Sequence, residues 1–131
     1  MIQRVDYFQG ISEDATHEIL YSLTQKFYEE GDILQKPGDT SDVLYFLQDG
    51  MIEVYTAFES HNFVIERLYR GSIINYRLFF MIDPGQVYLR FLKKSILLAM
   101  PIRRLEDLCK KHKDLEDKFL KFQKKVLLEG K

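Results

Sequence analysis

GDILQKPGDTSDVLYFLQDGMIEVY, residues 31–55, is cut by three turn signals: Gly31-Asp32, Pro37-Gly38-Asp39 and Asp49-Gly50. Between and after them lie Ile33-Leu34, residues 43–47 and residues 52–58, short runs of aliphatic, aromatic and β-branched side chains. Such runs between tight corners read as strands, and glycine belongs at the corners because it tolerates positive φ. Phe27 precedes the stretch in the same style. FVIERLY (63–69), VYLRFLKK (87–94) and SILLAMP (95–101) continue it. Many short strands at near-regular spacing predict a sandwich or a closed roll.

The flanks have another period. In residues 12–25, SEDATHEILYSLTQ, Ser12 is an N-cap candidate followed by acidic Glu13 and Asp14, and Ala15, Ile19, Leu20 and Leu23 recur at helical spacing. Val5, Tyr7 and Phe8 before it read as a docked lead-in turn. From Ile102, Leu105, Leu108, His112, Leu115, Phe119, Phe122 and Val126 step by three and four, on one helix or on two with a break near 111–114. Asp114 is then a candidate cap for the second. This apolar stripe needs a cover: the roll, another subunit or a pocket mouth. Helices that flank strands rather than alternate with them argue against a parallel α/β sheet. The expectation is a mainly β fold with flanking helices. It is an antiparallel jelly-roll-like β-roll with an N-terminal helix (1–26), the roll (27–101) and two C-terminal helices (102–131), all one domain.

Totals narrow the function classes. At 131 residues, 46% hydrophobic and 30% charged, the chain suits one globular domain with a real core. A net charge of −1 gives no field toward nucleic acid or anionic lipid. A single cysteine, Cys109, excludes an internal disulfide and fits a reducing, cytoplasmic setting. No apolar run is long enough for direct membrane insertion. The abrupt ending at LLEGK suggests a module of a larger protein.

The stretch 31–55 resembles the cyclic-nucleotide-binding domain family. Gly31-Asp32, Pro37-Gly38-Asp39, Tyr45-Phe46, Gly50 and Ile52-Glu53-Val54 match its β-roll without gaps, and the resemblance runs over roughly residues 5–125. VIERLYRGSIINYRLFF (64–80) also resembles the domain as it occurs in protozoan cation channels. The resemblance implies a cytosolic regulatory domain, tethered to a parent channel or regulatory protein, that responds to cAMP or cGMP. It implies no enzyme activity, metal or cofactor. A helix over 114–128 would close on the occupied roll.

It also implies a phosphate-binding cassette at 71–86. The family pattern is glycine, acid, any residue, aromatic, glycine, glutamate, then arginine some nine residues on. The glutamate holds the ribose hydroxyl. The arginine neutralises the phosphate at a helix N-terminus. Here Gly71 fits, Ser72 stands for the acid, Ile74 for the aromatic, Asn75 for the second glycine and Tyr76 for the glutamate, and Gly85-Gln86 fall at the arginine and its neighbour. A charge-assisted hydrogen bond contributes about 1.5–3 kcal/mol. Without the arginine, binding should weaken on the order of 100-fold or more. Arg70, Arg77 and Arg90 are candidate substitutes, though each also reads as a solvated surface arginine. Asn75 and Gln86 could meet a sugar, and Tyr76, Phe79, Phe80 and Met81 could fill the pocket or simply pack it. Two further readings stand beside weak or lost binding. One is a working cAMP or cGMP sensor with substitute residues. The other is an assembly module associating through the C-terminal helices as a homo-oligomer.

Other chemistry has little support. His17, His61 and His112 show no close metal spacing. Cys109 has His112 nearby but no acid to complete a nucleophilic set. Lysines from 110 to 125 alternate with acids and read as a solvated helix face, and no helix-turn-helix reader follows.

Overall fold

The computed structural model describes residues 10–39, 41–74 and 87–129, excepting the side chains at 122, 123 and 125–129. Helix α1 (Glu13–Ser22) leads. Strands β1 (Thr24–Tyr28), β2 (Ile33–Gln35), β3 (Val43–Asp49), β4 (Met51–Phe58), β5 (His61–Tyr69), β6 (Ile73–Ile74), β7 (Tyr88–Phe91) and β8 (Ser95–Pro101) follow. Helices α2 (Ile102–Lys111) and α3 (Lys113–Glu129) end the described chain. The strands make two antiparallel four-stranded sheets, ordered β1-β8-β3-β6 and β2-β7-β4-β5. The fold is a β-roll with one helix before it and two after.

The β1-β8-β3-β6 sheet is the middle layer. One of its faces sends Leu47, Ile74 and Leu97 against Ile52, Val54, Leu89 and Phe91 of the other sheet. Its opposite face sends Leu44, Phe46, Ile73, Leu98 and Met100 against Ile19, Ile102, Leu105, Leu108, Leu115 and Phe119 of the helices. Burial on both faces is why VLYFL and ILLAM read as unbroken apolar runs rather than alternating ones. The helical stripe is therefore covered, through Phe119, by this chain's own sheet and α1.

Several boundaries differ from expectation. The helix read over 12–25 stops at Ser22, and Thr24 and Gln25 join β1, pairing with Ala99 and Leu98. Residues 92–94, read as strand, turn between β7 and β8. Ile73-Ile74, read as cassette, forms β6 against Phe46 and Tyr45. Ser12 caps α1 as expected, its Oγ accepting from the Ala15 N–H at 3.2 Å. The break between the C-terminal helices falls at His112, whose carbonyl accepts from Glu116 N–H at 3.1 Å. Asp114 lies inside the first turn of α3 and reaches outward: its Oδ2 accepts from the Ser12 N–H at 2.7 Å.

Two corners show why they need their residues. Gly50, with φ +117°, sits where a Cβ would lie 1.9 Å from Ser95 Oγ. That hydroxyl accepts from Met51 N–H and donates to Lys93 O. At the other end, β8 runs into α2 with no linker, and Ile102 N–H donates to Asp42 O at 2.8 Å. Among the described residues, no helix is long and apolar enough to cross a membrane.

Candidate functional site

The chain leaves the middle sheet at Ile74 and enters the other sheet at Tyr88, so the expected cassette bridges the two. Gly71 has φ +98°, and its N–H donates to Leu47 O at 2.9 Å. Asn75, Tyr76, Arg77, Gly85 and Gln86, with Phe79, Phe80 and Met81, lie outside the described residues.

The described wall of the roll interior is apolar. Leu47, Ile52, Val54, Ile74, Leu89, Phe91 and Leu97 form it, with Tyr28 and Tyr45 packed against them. Tyr28 stacks on Phe91, ring centroids 4.4 Å apart. Burial pushes both phenols above their usual pKa, Tyr28 further under Tyr45 and Asp32, Tyr45 further under Asp42. They are neutral donors, not anions. Among the described residues, Gln35, Glu53 and Ser95 are the buried polar or charged ones, so no described cation is buried in the roll.

Arg90, one candidate substitute, faces outward. Its strand neighbours Leu89 and Phe91 point into the core, and a strand alternates faces. Its guanidinium lies 2.8 Å from Glu53 Oε1 and 4.7 Å from the centre of the Tyr55 ring. Tyr55 in turn stacks on Tyr88 with centroids 5.0 Å apart. Arg67 reaches the other oxygen of Glu53 at 3.4 Å. This ladder follows from register, since Glu53 stands opposite both Arg67 and Arg90. Arg70, a second candidate, is exposed.

The helices carry a seam that sequence reading missed. Glu18 of α1 binds Lys111 and His112 at the α2–α3 joint. Ser22 accepts from Arg104 Nε at 2.9 Å. With Ser12–Asp114, these contacts tie α1 along the whole α2–α3 elbow. In the sequence His112 reads only as a polar member of an apolar stripe; its partner lies 94 residues away. Cys109 is buried, its thiol pushed up to about 12 chiefly by that burial. Among the described residues, no group of three His, Cys, Asp or Glu is placed to hold a metal ion.

The family model for the cyclic nucleotide-binding domain matches residues 25–112. The chain belongs to the cyclic nucleotide-binding domain family. Among solved structures of this fold, the N-terminal domain of a transcriptional regulator from Streptomyces coelicolor is 18% identical, with a TM-score of 0.82 over 98% of this chain and 91% of that one. The catabolite activator protein of Thermus thermophilus is 15% identical, TM-score 0.79, over 95% of this chain and 59% of that one. A mutant regulatory subunit of a cAMP-independent protein kinase A from Trypanosoma brucei, bound to cAMP, is 13% identical, TM-score 0.73, over 95% of this chain and 48% of that one. At these identities the likeness is one of fold. Curated protein sequences give no significant match.

Proposed function

We propose that this cyclic nucleotide-binding domain is a non-enzymatic cytoplasmic regulatory module of a larger protein, in which binding of cAMP or cGMP is weak or lost. The observation that supports this best is the engagement of Arg90. The family's arginine position holds Gly85, and Arg90 is paired with Glu53 on the outside of the roll. Recruiting it would strip a buried carboxylate of its nearest cation and leave it only the longer contact from Arg67, a loss of about 1–3 kcal/mol. Arg77 is then the remaining candidate, and Tyr76 stands where the ribose acceptor belongs. The proposed site stays Gly71, Asn75, Tyr76, Arg77, Gly85 and Gln86, with Arg90 outside it.

The trypanosome relative lends support. It is named as cAMP-independent, and the cAMP-bound form is a triple mutant in which one change introduces an arginine. A roll of this kind can therefore exist in a cAMP-independent protein. The parent proposed here is a cation channel, on the resemblance of residues 64–80. The roll would pass its state to that parent through α1 and the α2–α3 elbow, as a shift between two populated arrangements.

Isothermal titration of the chain with cAMP and with cGMP tests the reading. Dissociation constants near millimolar, or no heat, are expected. Micromolar binding of either nucleotide would overturn it.

A further inference from the structure

Exposed apolar surface gathers on the β4–β5 hairpin. Its tip, Glu59-Ser60, has φ of 49° and 68°, the left-handed pair of a tight two-residue turn. Phe58, Phe63, Val64, Ile65 and Tyr69 on its two arms are each 49–66% exposed. β5 is nine residues long, all exposed except Leu68. It is the edge of its sheet, and among the described residues no strand lies on its far side.

Monomeric proteins blunt such edges with proline, with charge, with bulges or by covering them. β5 carries a single bulge, at Ile65. β5 has no proline, and its charged residues are Glu66 and Arg67. Arg67 is drawn back over the sheet to Glu53. Ile65, at the middle of the strand, has no partner on β4, because the ladder shifts register between Val54 and Tyr55. The result is a long apolar edge whose outward main-chain donors and acceptors are left to water, and which another extended strand can pair.

We propose that two copies of this chain pair through β5, antiparallel and edge to edge, joining their outer sheets into one. The strand suits itself. Full-length two-fold overlap of residues 61–69 puts the axis at Ile65. His61 then faces the second copy's Tyr69, Phe63 faces Arg67, and Val64 faces Glu66. No like charges meet, whereas an axis at Glu66 or Arg67 would set like charges face to face. The area sets the expected strength. Aromatic side chains carry about 150–250 Å² each. The four on β5, Phe63, Val64, Ile65 and Tyr69, each about half exposed, thus offer on the order of 400 Å² per copy, or on the order of 800 Å² for the pair, the size of a weak, reversible contact.

Sedimentation of the full chain, with two variants, tests this. The unaltered chain is expected to dimerise. Ile65→Lys sets two ammonium groups at the axis and should weaken the dimer about 100-fold or more, with the circular dichroism spectrum unchanged. Ile65→Cys in a Cys109→Ala background should form a disulfide-linked dimer under mild oxidation. Facing Cα atoms in an antiparallel pair are about 4.5–5.5 Å apart, within disulfide reach. Asn62→Cys, far from the axis, should not cross-link. The proposal fails if the chain stays monomeric at its highest soluble concentration. It fails equally if Asn62→Cys cross-links as well as Ile65→Cys, or if a dimer survives Ile65→Lys and is lost with Leu120→Lys, which would place the contact on α3.

Discussion

His112 Nε2 lies 2.5 Å from Glu18 Oε2, at the joint between α2 and α3. Glu18 also accepts from Lys111, so one carboxylate of α1 grips the elbow from both sides. Hydrogen bonds from Lys111 first, then His112, hold Glu18 below its usual 4.5, and the Ser12 N–H chiefly holds Asp114 below its usual 3.8. A carboxylate whose folded pKa is depressed stabilises the fold fully above its unfolded value and loses that contribution as pH falls through the folded one. The melting temperature should therefore fall as pH drops below 4.5. Glu18→Gln should start lower at neutral pH and fall less steeply, as scanning calorimetry across pH would record.

Gly50→Ala should be among the most damaging single-methyl changes in the chain. The new Cβ would meet Ser95 Cα at 2.8 Å, a backbone atom that cannot rotate away, at φ +117°. A loss of about 3 kcal/mol is expected in urea unfolding. Gly31→Ala is the matched control. Its φ is +90° but nothing lies within 4 Å, so only backbone strain of about 1 kcal/mol should appear.

Arg90→Ala should cost about 1–3 kcal/mol of stability, because Glu53 is buried and keeps only the longer contact from Arg67. The same variant should leave nucleotide titrations unchanged. A change in those heats would place Arg90 in the ligand site after all.

On the proposed cassette alignment, Tyr76→Glu with Gly85→Arg would put the family's glutamate and arginine at the two positions assigned to them. Titration with cAMP or cGMP should then tighten by about 100-fold or more relative to the unaltered chain. Gly85→Arg alone should account for most of the gain, since the phosphate carries the charge.

Cys109 should react with a thiol reagent only as fast as the chain opens. Burial holds its thiol near 12, so almost no thiolate exists at neutral pH. Labelling that runs at the rate of a free thiol would show that α2 opens readily.

The roll was legible because its corners need glycine and its middle sheet is apolar on both faces. Residues 43–47 and 95–101 could be read as strands without knowing their partners. β1 was half missed because four of its five residues are exposed, and an exposed strand has no alternation to betray it. β6 was missed because two residues have no period at all. At the candidate site, local sequence could identify Arg90 as a cation but not its direction, which depends on register against β4. The Glu18–His112 contact was invisible for the same reason at longer range: the two residues lie 94 positions apart, and the pattern around either one names no partner.

β8 passes into α2 at Pro101-Ile102 with no residue between, and the Ile102 N–H is anchored to Asp42 O beside β3. Such a junction has no slack. A shift of β8 within the sheet would reach α2 as rotation about a fixed fulcrum instead of being absorbed by a loop, and α1, latched to the same elbow, would be carried with it.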